Sequence, residues 1–292
     1  MYTGFLMELK ASNNFSLTIV FLLFIASFTS VLPGFFIKFE GELDVFQFIF
    51  VRVLFSLTIL LPVFFWSEVK KNKVNNDLWW LHLIRAQLGY LAGLSSVYAI
   101  QNLPIATATA VFYSSPIFVV LISLFLLKVR VGKSVIISVF IGFCGVLIIV
   151  KPNDLEYSMF SALVSAVSVA GSNLIIKKIP NDCSYLQSLT YYYLWALPPS
   201  LVLLYFSGFE INAEHFGLAV IVSLLTLLFS LVNLYLYKVC EPSRIASFEY
   251  LGLVWSAILG FLYFGENVDW MFSIGCFFIF VPLIVISKVK GF

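Results

Sequence analysis

Charge is what this sequence has least of. Only 11% of its 292 residues are charged, whereas 61% are hydrophobic and 18% aromatic, and the mean hydropathy is +1.03. A soluble protein of this size uses about a quarter of its residues as charge, because its surface must be hydrated. The composition therefore excludes a soluble globule and indicates a surface that mostly contacts hydrocarbon.

Residues that bind nucleic acids and metals are also scarce. The formal net charge is +2, the isoelectric point is near 8.2, and no basic patch is interleaved with aromatics, which excludes a nucleic-acid partner. The four cysteines lack the paired spacing of a zinc site or a disulfide framework. His82 and His215 are far apart, and neither a Ser-His-acid set nor a glycine-rich phosphate loop occurs. We therefore expect no metal, no cofactor and no enzymatic activity.

Long apolar runs are abundant. A helix needs about 20 mainly apolar residues to cross a hydrocarbon core of roughly 30 Å, and these runs lack the period-two alternation of barrel strands. They predict an all-α membrane protein with ten transmembrane helices, at residues 15–37, 44–66, 79–101, 104–127, 133–150, 158–176, 186–207, 216–237, 242–265 and 271–287. The first run is too long for a signal-peptide core, so we expect it to remain as a span.

Basic residues gather on one side of this predicted topology. With a cytoplasmic amino terminus, thirteen of them lie in cytoplasmic segments and two, Lys38 and Lys151, lie on the other face. The thirteen are Lys10, Lys70, Lys71, Lys73, Lys128, Arg130, Lys133, Lys177, Lys178, Lys238, Arg244, Lys288 and Lys290. The bias follows the positive-inside rule and predicts that both termini are cytoplasmic. The short loops suit a bacterial inner membrane.

The two halves of the chain resemble each other at an offset of 138 to 140 residues. Gln47 aligns with Gln187, and Pro104 aligns with Pro242. Because each half has five spans, an odd number, the second copy must enter the membrane from the opposite side. Inverted repeats are the architecture of alternating access, in which two bundles rock around a central site. We expect a single transmembrane domain over residues 1–292, with a first repeat at 15–151 and a second at 158–290.

Several spans carry small or polar residues at helical spacing, which a cavity or a tight helix contact favours and lipid does not. The clearest stripe, on span six, consists of Ser158, Ser161, Ser165, Ser168 and Ser172. Similar stripes on spans three, four, eight and nine predict a cavity between helices, while the apolar spans five and ten are expected at the periphery. The alternative interpretation is that such stripes only let helices approach closely.

Three charged residues, Arg52, Arg85 and Glu249, lie well inside predicted spans. Such a charge costs about 3 kcal/mol at the bilayer centre unless it is paired or hydrated, which makes each a candidate for function. At about 1.5 Å per residue, Arg85 and Glu249 lie about 10 Å from the cytoplasmic side and could pair. One hypothesis is that an arginine binds an anionic group of a substrate, while Glu249 binds a cationic group or a coupling proton. The alternatives are a static ion pair between spans three and nine, and snorkelling of Arg52.

Two stretches of the sequence resemble a known family. They are HLIRAQLGYLAGLSSVYAIQNLPIATATAVFYSSPIFVVLISLFLL, followed by GFCGVLIIVKP, in the first half and FEYLGLVWSAILGFLYFGE in the second. Both are similar to the drug/metabolite transporter superfamily, in its EamA-type branch. The resemblance implies ten spans, cytoplasmic termini and a central cavity lined chiefly by spans three, four, eight and nine plus one and six. By position it implies substrate-binding residues, to which the charge analysis adds Arg52: Arg85, Tyr113, Ser115, Asn233, Glu249 and Tyr250.

The resemblance has two departures and one finer indication. Leu126-Leu127-Lys128 stands where the family often has Leu-Gly-Glu, and span nine lacks the proline expected there. Arg85 together with Glu249 before a Leu-Val-Trp run looks most like bacterial members that import S-adenosylmethionine or riboflavin.

We therefore expect a secondary transporter that moves a small polar or amphipathic metabolite across the cytoplasmic membrane by alternating access. Nucleotide-like metabolites, vitamins and amino acids are the expected substrate types. The rival function is that of a non-transporting membrane protein, such as a lipid-handling factor or a scaffold. The expected partners are the small-molecule substrate and membrane lipid, with a homodimer left open.

Overall fold

The computed structural model is mainly helical in the residues that it describes, which are 17–41, 43–69, 78–125, 133–150, 157–176, 178–179, 183–208, 213–239, 251–267 and 269–288. No strand occurs in these ranges, which confirms the all-α class. The helices are α1 (Leu17–Glu40), α2 (Val45–Phe64), α3 (Trp79–Asn102), α4a (Ile105–Phe112), α4b (Ser115–Phe125), α5 (Lys133–Val150), α6 (Tyr157–Ile176), α7 (Tyr185–Phe206), α8 (Ala213–Val239), α9 (Leu251–Phe264) and α10 (Trp270–Lys288).

Each predicted apolar run coincides with a helix, and most boundaries agree within a few residues. The predicted start of span nine, at residue 242, lies outside the described residues. A π-helical turn, Phe65–Val69, extends α2. Four described helices are long and apolar enough to cross a membrane by length and composition, at Val45–Ser67, Ile105–Phe125, Tyr157–Ile175 and His215–Val232.

The outward-facing side chains fit a lipid environment. Phe125 and Phe206 are both 77% exposed, and Phe160 and Phe277 are both 64% exposed. Exposed apolar side chains in such number would favour aggregation in water. In hydrocarbon they carry no such penalty, because lipid tails are equally apolar, and the helices satisfy their own backbone hydrogen bonds.

Helices α2 and α7 begin in the same way. The Asp44 carboxylate accepts hydrogen bonds from the backbone N–H groups of Phe46 and Gln47, both at 2.9 Å. The Ser184 hydroxyl likewise accepts from the backbone N–H of Gln187 at 3.1 Å. These caps satisfy amide groups that have no partner within the helix, and they fix where each helix starts.

The fourth predicted span is broken, which the sequence prediction missed. Tyr113 and Ser114 form a turn between α4a and α4b. Pro116 follows directly, and a proline has no N–H to donate to the carbonyl group four residues before it. That carbonyl belongs to Phe112, the last residue of α4a.

The helices form a single packed bundle. Its main pairs are α5–α10, α3–α6, α2–α7, α1–α8, α2–α8, α3–α7, α4b–α6, α1–α9 and α4a–α9. Helices α5 and α10 pack mainly on each other, as expected for the periphery. Their approach depends on Gly145, where a Cβ atom would lie 2.7 Å from the Gly275 carbonyl oxygen.

The serine stripe of α6 packs against α3. The Ser161 hydroxyl donates to the backbone carbonyl of Ser95 at 2.8 Å, and the Ser165 hydroxyl donates to that of Ala92 at 3.1 Å. Ser158, Ser168 and Ser172 are also buried. Of the two interpretations of this stripe, the structure therefore favours close helix packing.

Candidate functional site

Arg85 on α3 reaches across to α7. Its Nη1 donates to the Ser188 carbonyl at 3.2 Å and to the Ser188 hydroxyl at 2.8 Å. Its guanidinium lies over the ring of Tyr192, with 5.3 Å between Cζ and the ring centroid. Gly89, one turn along α3, makes this possible, since a Cβ there would overlap the Tyr192 ring. The Nε of Arg85 is buried and has no hydrogen-bond partner among the described residues.

Arg52 on α2 has a similar environment. Its Nη2 donates to the Thr226 hydroxyl of α8 at 3.2 Å, and its guanidinium lies 5.7 Å from the centroid of the Phe48 ring. Its Nε is also buried, and no residue in the described ranges forms a hydrogen bond with it. Because the side chain ends against α8, the structure favours an internal role for Arg52 over snorkelling to the membrane surface.

Two tyrosines lie near both arginines. The side chains of Tyr192 and Tyr193 are within electrostatic range of Arg52 and of Arg85. Their rings are 5.1 Å apart in an edge-to-face arrangement. Within the described part of the chain neither arginine forms a salt bridge. The His215 Nδ1 lies 3.1 Å from the Glu40 carboxylate, a contact that is an ion pair only when the histidine is protonated.

Three predicted site residues cannot be placed in this cluster. Glu249 and Tyr250 lie outside the described residues, so the pairing of Arg85 with Glu249 stays a prediction. Asn233 lies on α8, and its side chain is outside the described part.

Tyr113 and Ser115 lie at the break between α4a and α4b. The Tyr113 hydroxyl packs directly against Gly252 of α9, where a Cβ would overlap it. The Ser115 hydroxyl is buried and has no partner among the described residues. Tyr113 also lines a crevice between α4a, α9 and α10 that is too narrow for a water molecule. No described contact joins this pair to the arginines, so the predicted site residues fall into two groups.

Sequence reasoning missed a polar cluster, here called the outer cluster, at the helix ends that the predicted topology places outside. Lys38 donates to the backbone carbonyls of Gln101 at 3.2 Å and Leu103 at 2.8 Å. Glu266 accepts a hydrogen bond from the backbone N–H of Ile105 at 2.8 Å. The sequence offered one indication of this cluster. The predicted topology places the acidic Glu266 on the same side of the membrane as the helix start that follows Pro104. The cluster ties α1, α3, α4a and the end of α9 together.

His82 and Cys183 meet at the cytoplasmic end of the predicted topology, where Cys183 Sγ lies 3.8 Å from His82 Nε2. Within the described ranges, no group of three or more His, Cys, Asp or Glu side chains comes close enough to hold a metal ion.

The sequence matches a known family over nearly its whole length. The family model for the EamA-like transporter family matches residues 17–151 and, a second time, residues 157–288. The chain belongs to this family, within the drug/metabolite transporter superfamily. It is therefore a multi-pass membrane protein of a transporter family and not an enzyme.

Curated relatives carry transporter names. The S-adenosylmethionine uptake transporter of Rickettsia felis is 30% identical over 234 residues, covering 78% of each chain. The pseudopaline exporter CntI of Pseudomonas aeruginosa (strain UCBPP-PA14) is 28% identical over 213 residues, covering 71% of this chain and 75% of the relative. The riboflavin transporter of Brucella anthropi is 23% identical over 223 residues, covering 74% and 78%.

The fold has a counterpart among solved structures. One crystal structure aligns with a TM-score of 0.59 over 93% of this chain and 97% of the other, at 14% sequence identity. At that identity the likeness concerns the fold alone.

Proposed function

We propose that the protein is a secondary transporter that moves a small polar or amphipathic metabolite across the bacterial inner membrane by alternating access. In this proposal ten spans form two inverted repeats, at residues 15–151 and 158–290, and both termini are cytoplasmic. The substrate is a nucleotide-like metabolite, a vitamin or an amino acid. No nucleotide hydrolysis occurs in this chain.

The helix packing supports two related halves. Each helix of the first half has a counterpart five helices later in the second half. Exchanging all counterparts converts the pair α3–α6 into α1–α8, α3–α7 into α2–α8, and α4–α6 into α1–α9. The pairs α2–α7, α4–α9 and α5–α10 are unchanged by this exchange. The matching caps Asp44 and Ser184 precede the aligned residues Gln47 and Gln187 by the same spacing. A pairing pattern of this symmetry is expected when two copies of one five-helix unit pack together.

The observation that carries the proposal is where the intramembrane charges lie. Arg52 and Arg85 belong to the first half, and each is hydrogen-bonded to the second half, at Thr226 and Ser188 respectively. Inverted-repeat transporters bind their substrates between the repeats, near the midplane. Charges inside a membrane protein usually face a ligand path or a partner, because lipid cannot solvate them.

The names of the relatives guide the choice of substrates to test. They include an S-adenosylmethionine uptake transporter, a riboflavin transporter and a pseudopaline exporter. The names of the first and the last show that both import and export occur among the relatives. We propose that Arg52, Arg85, Tyr113, Ser115, Asn233, Glu249 and Tyr250 line the substrate path. Glu249 would bind a cationic group of the substrate or a coupling proton.

Uptake and counterflow in reconstituted vesicles test this function. The panel would contain S-adenosylmethionine, riboflavin and amino acids, with empty vesicles as the control. We expect at least one of these compounds to be exchanged faster than in empty vesicles. Absence of flux for the whole panel, with correctly folded protein, would favour a lipid-handling or scaffold function.

A further inference from the structure

Within the described part of the chain, one edge of the Arg85 guanidinium has no hydrogen-bond partner. Its Nη1 makes both contacts with Ser188, while the buried Nε bonds to none of the described residues. Nor does any described residue form a hydrogen bond with Nη2. The edge formed by Nε and Nη2 is planar, and its two parallel N–H groups match the two oxygens of a carboxylate or phosphate group.

Three contacts fix the orientation of this edge. Ser188 holds the opposite nitrogen through its carbonyl and its hydroxyl group. The Tyr192 ring lies under the guanidinium plane, and the ring is held between Gly89 of α3 and the neighbouring Tyr193. An arginine that is already immobilised loses little conformational entropy when it binds a ligand. The unused edge is therefore preorganised for binding.

Arg52 adds a second positive charge to the same region. Like Arg85, it has a buried Nε to which no described residue is hydrogen-bonded, and it lies within electrostatic range of the same two tyrosines. No carboxylate of the described residues contacts either guanidinium. Charges buried without a counter-charge are strongly unfavourable, so an anion that enters this region is attracted by both arginines.

We propose that the Nε–Nη2 edge of Arg85 is the subsite for an oxyanion group of the substrate, with Arg52 as a second, non-chelating cation. The proposal rests on the transport function proposed above and specifies its substrate class. The transported metabolite carries a carboxylate or a phosphate group, and this group binds to Arg85 through two parallel hydrogen bonds. Tyr192 acts as the platform that positions the arginine.

Binding of simple aromatic oxyanions tests the subsite without any need for transport. The probes are benzoate, phenyl phosphate and the neutral analogue benzamide, added to the purified full-length protein at equal ionic strength. A ligand that binds the folded form raises its apparent melting temperature. We expect a saturable increase with benzoate or phenyl phosphate and none with benzamide. Which of the two acts at lower concentration distinguishes a carboxylate from a phosphate substrate.

Variants locate the binding to one edge. Arg85→Lys keeps the charge but loses the planar fork, and we expect it to weaken probe binding by about tenfold or more, as for the loss of a charge-assisted hydrogen bond. Arg52→Lys keeps the positive charge, and Arg52 is not proposed to bind the probe through two hydrogen bonds. We therefore expect Arg52→Lys to weaken probe binding less than Arg85→Lys does. Lys178→Gln, at an exposed position on the cytoplasmic side of the predicted topology, is the matched control and should bind as the unmodified protein does.

Three results would overturn the subsite: equal stabilisation by benzamide, unchanged binding in Arg85→Lys, or no stabilisation by either oxyanion at millimolar concentration. If Arg85→Lys does not fold, the comparison of benzoate with benzamide on the unmodified protein still tests whether the protein binds an oxyanion. Transport and subsite can also fail separately. Oxyanion binding without any flux contradicts transport alone, whereas flux that is insensitive to Arg85→Lys contradicts the subsite alone.

Discussion

At the scale of single residues, the contact between Gly89 and Tyr192 determines the geometry around Arg85. The tyrosine ring occupies the space that a side chain at position 89 would need. The guanidinium of Arg85 lies over the same Tyr192 ring, with 5.3 Å between its Cζ atom and the ring centroid. A substitution at Gly89 therefore acts on Arg85 through Tyr192, without contacting the arginine itself.

We predict that Gly89→Ala lowers stability and weakens ligand binding, because the new methyl group displaces the Tyr192 ring. Overpacking of this kind costs about 1–3 kcal/mol of unfolding free energy. Thermal unfolding in detergent measures the loss. Gly93→Ala is the control on the same helix, since its Cβ would lie at an ordinary contact distance of 3.7 Å from Ile49. Equal loss in both variants would show that helix α3 tolerates no added methyl group and that Tyr192 has no special part.

A second residue-scale prediction concerns Glu249. If it binds a cationic substrate group or a proton, Glu249→Gln abolishes flux and leaves the detergent stability nearly unchanged, because the glutamine has almost the same shape. The measurement is counterflow in vesicles together with thermal unfolding of the same preparation. Unchanged flux with lower stability would identify a structural ion pair instead.

At the scale of helices, two close contacts hold the bundle together at different places. Gly145 allows the backbones of α5 and α10 to touch, which is how small residues stabilise helix pairs in lipid. At the outer end, Glu266 accepts the hydrogen bond of the first amide of α4a. That amide has no partner within the helix, and a carboxylate there also interacts favourably with the helix dipole.

We predict that Gly145→Ala separates α5 from α10, since the methyl group would have to displace backbone atoms of α10. The expected loss is about 1–3 kcal/mol of unfolding free energy, measured by thermal unfolding. Gly217→Ala on α8 is the matched control, because no atom lies within 4 Å of the added Cβ. There the better helix propensity of alanine should leave stability equal or slightly higher. A comparable loss at both glycines would contradict the packing explanation.

For the outer cluster, Glu266→Ala should cost about 0.5–2 kcal/mol, the usual contribution of a group that caps a helix start. Glu266→Gln keeps an oxygen that accepts the Ile105 hydrogen bond, so its loss should be smaller. Hydrogen exchange of the first amides of α4a reports on this contact directly. Exchange rates that are the same in both variants and in the unmodified protein would show that Glu266 does not protect this helix start.

At the scale of the whole molecule, the proposed topology predicts where both chain ends lie. A cysteine placed at either terminus, in a background without the four native cysteines, should resist membrane-impermeant maleimide applied to intact cells. Opening the cells should make both termini reactive. Labelling of one terminus only from outside would be incompatible with ten spans and with inverted five-helix repeats.

Hydropathy and turn chemistry predicted most of the helix positions, but they could not predict particular contacts between helices. The break at Tyr113 and Ser114 comes just before a proline in an otherwise continuous apolar run, which a hydropathy average does not register. The serine stripe of α6 was compatible with a cavity or with a helix contact, and only the position of α3 favoured the second. Lys38 was predicted as a charge on the outer face, yet it binds carbonyl groups more than sixty residues away in the chain.

The sequence by itself determined the lipid environment, the helical class, the helix positions and the likeness of the two halves. These are local properties, because hydrocarbon thickness sets the length of a span and side-chain polarity sets its solvent. Only the tertiary structure decided that Ser188 and Thr226 hold the two arginines, and that one guanidinium edge has no partner among the described residues. Such contacts depend on which helices are neighbours and on how each is rotated, and no local sequence pattern specifies either.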